Sequence, residues 1–310
     1  MVRVPGITSL IGNTPLVEVP GLSPNPAVKI WAKLEGSNPT GSLKDRIARS
    51  MIEDAQAKGL LSGDKILLEP TSGNTGISLA FLAMHLGLRV LCVMPDSATE
   101  ERRHLIQMFG AEVHYSPGDK GSNGAIEVAK EMAEDDKFVM LYQYGNEANP
   151  RAHEEGTGPE ILRDLPELTH FVAGLGTGGT LTGVGRYLKK ASPEVQIVAA
   201  EPEQGEAIYG LRSLDDGFRP PVLDESVLDS KIKVSALDSV KWTQKLAAEF
   251  GHFVGISSGA TVHVARRIAE RIESGNIVCL FADGGWKYLS TNIWSQSAEQ
   301  AAEEVENMPW

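Results

Sequence analysis

Apolar positions along the chain alternate between helix-like and strand-like spacing almost throughout. Ile47, Met51, Ile52 and Ala55 recur at helical intervals after Lys44, and KILLEP (65–70) is a short apolar run. GISLAFLAMHLG (76–87) predicts an apolar helix that Gly87 closes as its C′ residue. RVLCVMP (89–95) predicts a buried strand. Ser97 and Glu100, spaced as a capping box, then open a helix over EERRHLIQMFG. EVHYSP (112–117), a helix through 124–135 and a strand VMLYQY (139–144) continue the alternation. The second half repeats it, with a strand THFVAGLG, a helix GTLTGVGRYLKKA, a strand QIVAAEP, helices over 238–250 and 260–273, and a strand NIVCLFAD. Apolar strands without alternation are buried on both faces, as in parallel sheets covered by helices. The pattern therefore predicts an α/β fold of two doubly wound open sheets. Segment 203–234 shows little periodicity and is expected to be a long functional loop. The tail SAEQAAEEVENMPW carries an acidic run, expected as a solvated helix face. It ends in Trp310, whose large apolar ring favours a docking site.

Composition narrows the classes. A chain of 310 residues, 42% apolar, exceeds one ordinary core and fits two domains or one large α/β unit. A net charge of −12 argues against a general nucleic-acid binder but leaves room for an anionic small substrate. Cys92 and Cys279 each sit inside an apolar run and form no metal or CxxC spacing, as expected of buried reduced thiols. No apolar run approaches the ~20 residues that span a bilayer. MVRVPGITSLIG lacks the apolar core of a signal peptide, so a cytoplasmic protein is expected.

Three loop–helix junctions concentrate the candidate chemistry. In the first, Asn38, Pro39, Thr40, Gly41 and Ser42 form a turn ahead of Lys44. A lysine in a desolvated pocket loses its proton more readily and can form a Schiff base with an aldehyde cofactor. In the second, small hydroxyl and amide residues surround Gly73 in EPTSGNTG (69–76), and amides at a helix start hold a carboxylate well. In the third, GLGTGGT (174–180) joins a strand to a helix, and its glycines let the backbone approach a phosphate. That last turn also mimics a dinucleotide fingerprint, since Glu201 ends the next strand, which motivates a rival nicotinamide-dependent oxidoreductase. Against the rival, the spacing is GxGxGG, and neither Lys44 nor residues 71–75 would have a role. A lysine amine, a carboxylate cradle and a phosphate cradle together point to pyridoxal 5′-phosphate chemistry on an amino acid.

NPTGSLKDR, EPTSGNTG, GTGGT, GISSGA and YLST occur in that order over roughly residues 8–293. With them the chain resembles the cysteine synthase family, β-family pyridoxal-phosphate enzymes with the type II, tryptophan synthase β-like fold. The resemblance implies a site in the cleft between two domains. It implies that Lys44 holds the cofactor as a Schiff base and later removes the substrate's α-proton. Asn74 matches the residue that bonds the cofactor's 3′-oxygen, and Ser257 the partner of the pyridine nitrogen. Gly176, Thr177, Gly178, Gly179 and Thr180 match the phosphate loop. Thr71, Ser72, Thr75 and Gln143 match the clasp of the substrate carboxylate. A serine at 257 cannot hold the ring nitrogen strongly protonated, which favours β-elimination over transamination. The family's usual Asn-Pro after this glutamine is Asn146-Glu147 here, expected to alter a loop without chemical consequence.

The segment 208–218, Trp286 and the tail ending in Trp310 resemble the actinobacterial B-type branch, O-phosphoserine sulfhydrylases that take sulfur from a small thiocarboxylated carrier protein. Arg212 matches that branch's substrate-phosphate arginine, and a guanidinium suits a phosphate dianion through paired hydrogen bonds. The plainer alternative is a surface pair of Arg212 with Asp215 or Asp216. O-acetylserine remains the alternative donor, with sulfide or thiosulfate as the sulfur source. A serine dehydratase, a cystathionine synthase, and a module that docks a partner's C-terminal peptide are competing classes. The family further implies a homodimer, a smaller mobile domain over 41–145, a larger domain of 1–40 plus 146–310, and a tail from 294 that shields the site.

Overall fold

The computed structural model describes residues 4–71, 73–98 and 100–306. Two short strands come first, β1 (Leu16–Glu18) and β2 (Val28–Leu34), followed by α1 (Lys44–Ala57). β3 (Ile66–Pro70), α2 (Asn74–Leu86), β4 (Arg89–Pro95), α3 (Glu100–Met108), β5 (Glu112–Ser116), α4 (Gly121–Met132) and β6 (Phe138–Met140) build a four-stranded parallel sheet in the order β5-β4-β3-β6. After α5 (Ala148–Ala152) and α6 (Gly158–Asp164) come β7 (His170–Gly174), α7 (Gly179–Ala191), β8 (Gln196–Pro202), β9 (Ser230–Val234), α8 (Ala236–Phe250), α9 (Ile256–Ala269), β10 (Gly275–Phe281) and α10 (Ala298–Glu306). The second sheet has six strands in the order β1-β2-β10-β7-β8-β9, parallel except for the β1–β2 pair. The chain thus starts in the larger sheet, crosses to the smaller one and returns.

Both sheets are covered on both faces, which is why the central strands read as unbroken apolar runs. Leu67, Ile77, Ile106 and Cys92 pack with Ile47, Met51 and Ile52 of α1 on one face of the small sheet. Leu68 and Val93 meet Ala125 and Ala129 of α4 on the other. In the large sheet, Val172, Val198 and Ile277 pack against α8, α9 and α10. Phe171, Ile197 and Val278 pack against Ile161, Leu181 and Leu188. Cys92 and Cys279 are buried and free, and burial pushes both thiols up. No helix among the described residues is long and apolar enough to cross a membrane.

Several expectations need correction. Segment 203–234 is not loop throughout, because its end is β9, an edge strand paired with β8. Its lysines hid it, and Lys233 is balanced there by Glu201 and Asp215. The strand expected over 139–144 stops at Met140, and the chain then turns through Tyr142, a non-glycine residue at φ 55°. α3 begins at Glu100 with Ser97 in the preceding turn, so the two are not placed as N-cap and third residue. β1, β2 and the irregular helical stretch of α5 and α6 were not anticipated. The tail does form a helix, with Ala301, Ala302 and Val305 buried and Glu303 exposed. Trp310 lies outside the described residues.

Candidate active site

The carboxyl ends of β3 and β7 face a common cleft of about 380 Å³, with a smaller cavity of about 70 Å³ adjoining it. Lys44 and Asn74 line both. Thr71, Thr75, Gln143 and Arg212 join Gly176 and Thr177 around the larger one, and Gly178, Thr180 and Ser257 join them around the smaller. Gly179 opens α7 beside this cavity. Ser72 lies outside the described residues.

Lys44 is the first residue of α1, and its approach is built from the larger sheet. Leu43 donates its N–H to the Ala282 carbonyl at 2.9 Å, and Ser42 bridges Asp283, just past β10. Gly41 turns with φ 80°, and a Cβ there would meet the Trp286 ring at 2.8 Å. Lys44 is half-buried where it lines the cleft. Burial lowers its pKa to about 8, against the opposing pull of Glu69 and Asp283. Two residues on, the Arg46 guanidinium spans Glu35 and Glu160 and ties α1 to the larger sheet.

The junction after β3 forms the second wall. The Thr71 hydroxyl accepts the N–H groups of Gly73 and Gly76, both at 3.3 Å. The Thr75 hydroxyl donates to Gln143 Oε1 at 2.8 Å. Beneath them lies Glu69, fully buried, whose carboxylate accepts Tyr142 N–H at 2.7 Å and Gln143 N–H at 3.0 Å. Burial raises this carboxyl to about 8 against those backbone donors and Lys44. Gln143 therefore sits where it does because a buried acid holds its backbone.

The third wall is the loop from β7 into α7. Gly178 takes φ 82°, a left-handed conformation suited to glycine. A Cβ on Gly176 would lie 2.4 Å from the Gly210 carbonyl, and one on Gly179 would lie 1.9 Å from Asn149 Oδ1. Glycine is thus required for the loop to pack against Gly210 and Asn149, and Gly176, Thr177, Gly178 and Thr180 line the smaller cavity at the N-terminus of a 13-residue helix. This donor set fits a phosphate group. An amine across the cavity and a Ser257 hydroxyl complete a pocket that fits pyridoxal phosphate.

Arg212 occupies the outer wall. Its guanidinium stacks on Phe218 and Tyr144, 4.7 and 5.0 Å from the ring centres, and donates to Asn123 Oδ1 at 3.1 Å and Tyr144 OH at 3.3 Å. The alternative surface pair is not formed: Asp215 pairs with Lys233, and Asp216 accepts the Gly205 N–H. Glu201, which the dinucleotide reading needs at a ribose, is buried, accepts Leu214 N–H at 2.6 Å and pairs with Lys233 at 2.9 Å.

Sequence reasoning did not single out Glu69, Arg102, Asp283, Lys287 or Tyr288, although all border the site or its walls. Arg102 lines the cleft and stacks over Tyr209 and Tyr288. The signal lay in the motifs themselves, since Glu69 opens EPTSGNTG and Tyr288 opens YLST.

Residues 7–283 match the family model described as pyridoxal-phosphate dependent enzyme. A probable cysteine synthase of Bacillus subtilis is 43% identical over 306 residues, covering 94% of this chain and 98% of its own. Among solved structures, an O-ureido-L-serine synthase superposes with a TM-score of 0.90 at 41% identity, covering 96% of each chain. A cysteine synthase (OASS) from Entamoeba histolytica superposes with a TM-score of 0.89 at 32% identity, covering 99% of this chain and 96% of its own. The chain belongs to the pyridoxal-phosphate-dependent enzymes, and within them to the cysteine synthases and their O-acetylserine sulfhydrylase-like relatives. No comparison supports an oxidoreductase.

Proposed function

We propose that this enzyme replaces the β-substituent of O-phospho-L-serine with sulfur, forming L-cysteine and phosphate. The observation that carries the choice of donor is Arg212, a guanidinium on the wall of the cleft that Lys44 lines, held by two aromatic rings and an asparagine. A phosphate dianion gains paired charge-assisted hydrogen bonds from it, whereas an acetyl ester gains little. O-acetylserine is the second reading, supported by the solved relative described as an OASS.

When bound, pyridoxal phosphate would supply an electron sink for the substrate's α-carbon. Lys44 holds the cofactor through its amine and takes up the α-proton, for which a pKa lowered to about 8 suits it. Backbone amides of Gly176, Thr177, Gly178, Gly179 and Thr180 cradle the cofactor phosphate, and the Ser257 hydroxyl meets the pyridine nitrogen. Asn74 serves the ring oxygen. Thr71, Ser72, Thr75 and Gln143 clasp the substrate carboxylate, fixing the α-carbon near the amine. Arg212 receives the leaving phosphate. The sulfur comes from a small thiocarboxylated carrier protein or from sulfide, and neither Cys92 nor Cys279 takes part. Residues 41–145 form a smaller mobile unit against 1–40 plus 146–310. The enzyme works as a cytoplasmic homodimer.

The test compares kcat/KM on O-phosphoserine and O-acetylserine with sulfide fixed, for the native enzyme and Arg212→Ala. Loss of two charge-assisted hydrogen bonds should remove about 2–5 kcal/mol of discrimination. Equal losses on both substrates would refute the phosphate role. Pyruvate released without a sulfur donor would instead mark a dehydratase.

A further inference from the structure

Asn74 reaches across the cleft to two buried charges on the far side of it. Lys287 Nζ lies 2.6 Å from Asn74 Oδ1, and Asn74 Nδ2 lies 2.7 Å from Asp283 Oδ2. Tyr288 donates its hydroxyl to the same Asp283 oxygen at 2.7 Å. Lys287, Asp283 and Tyr288 are each at most 3% exposed, so water does not compete for these contacts. The charged groups around Lys287 are Asp283 beyond β10, Asp45 on α1 and Arg102 on α3.

The geometry has only one self-consistent rotation of the amide. An ammonium has donors alone, so the Asn74 atom facing Lys287 is the oxygen. A carboxylate that already receives Tyr288 has acceptors alone, so the atom facing Asp283 is the nitrogen. Rotating the amide by half a turn would set donor against donor and acceptor against acceptor. With its oxygen engaged by Lys287 and one N–H by Asp283, the amide has one N–H left for the cavity that Lys44 lines. We propose that Lys287 and Asp283 are positioning residues that lock the Asn74 carboxamide so that it presents a donor to the cofactor's ring oxygen. The proposal rests on the assignment of that oxygen to Asn74 above. The ammonium also polarises the amide, strengthening the remaining N–H as a donor to an anionic oxygen.

The test reads the cofactor's absorption in holoprotein at neutral pH, as the ratio of the visible band to the near-ultraviolet band, which reports the charge state of that oxygen. Cofactor attachment is checked by mass after borohydride reduction. Lys287→Met should lower the ratio about five-fold, as expected for weakening one charge-assisted hydrogen bond. Asn74→Ala should lower it in the same direction, and the double variant should fall no further than Asn74→Ala alone, because both act through one group. A native ratio in Lys287→Met beside a lowered one in Asn74→Ala overturns the positioning role and leaves the Asn74 assignment standing. Native ratios in both overturn that assignment and the proposal with it. Additive losses in the double variant overturn it too. Where Lys287→Met does not fold, Lys287→Gln replaces it: uncharged and one bond shorter, it should lower the ratio about two-fold, and an unchanged ratio there overturns the proposal.

Discussion

Replacing Arg46 with methionine should loosen the helix that carries Lys44. The guanidinium reaches Glu35 at 2.7 and 2.9 Å, Glu160 at 2.7 and 2.7 Å, and the Thr14 hydroxyl at 3.2 Å. Glu35 is fully buried and Glu160 nearly so, and the buried Lys33 adds a 2.9 Å pair to Glu160. Methionine fills much of the volume but leaves one carboxylate without a cation and the other with Lys33 alone. Breaking a buried pair from one side costs about 3–5 kcal/mol. The hydrogen bonds that Thr14 and Asn38 give to Glu35 persist and keep the loss within that range. Urea unfolding at pH 7, with the m-value checked for constancy, measures it. The pH dependence follows from the carboxylates. Burial works to raise Glu160, but Arg46 and Lys33 outweigh it and hold the group at about 2, below its ordinary 4.5. A carboxylate with a depressed folded pKa contributes stability above its unfolded pKa and loses it as pH falls through the folded one. The native advantage over Arg46→Met is therefore full at pH 7 and shrinks from about pH 4.5 downward. A loss under about 1 kcal/mol at pH 7 would refute the assignment of this cluster as a buried ion network, as would a difference unchanged by acid.

Three further outcomes are expected. Gly176→Ala pushes a methyl against the Gly210 carbonyl, which cannot yield without moving the loop that carries Arg212. Cofactor affinity should fall by about 1–3 kcal/mol, read by equilibrium dialysis, and native affinity would show that the cradle lies elsewhere. Uptake of pyridoxal phosphate by apoprotein needs the neutral Lys44 amine, so its rate should rise with pH to a plateau just above 8 rather than near 10.5. Continued rise beyond pH 10 would show that the amine is not desolvated. Gln143→Ala should raise KM for the amino acid with a smaller change in kcat, at a cost of about 1–3 kcal/mol in kcat/KM. A fall in kcat alone would remove Gln143 from the carboxylate clasp.

Where a segment carried one unmixed apolar signal, its element was legible. α2, β4, α7 and β8 lie within a residue or two of their expected bounds, and the three candidate loops meet around adjoining cavities. What escaped had conflicting local signals. β2 places Lys29 and Lys33 in a strand, and Lys33 is buried against Glu160, distant in sequence, and the Thr14 carbonyl. α5 and α6 are interrupted by Pro150, Gly156 and Gly158, so no apolar period survives there. The site's second layer was hidden for a related reason. Glu69, Asp283 and Lys287 act through partners far along the chain, and a one-dimensional pattern does not show which buried charges meet.

The amine of Lys44 is the proposed point of cofactor attachment. Borohydride reduction of the holoprotein followed by peptide mass analysis tests it most directly. The pyridoxyl mass is expected on the peptide containing Lys44, and Lys44→Ala should carry none. Attachment at another lysine, Lys287 included, or no attachment at all, would contradict the site as described.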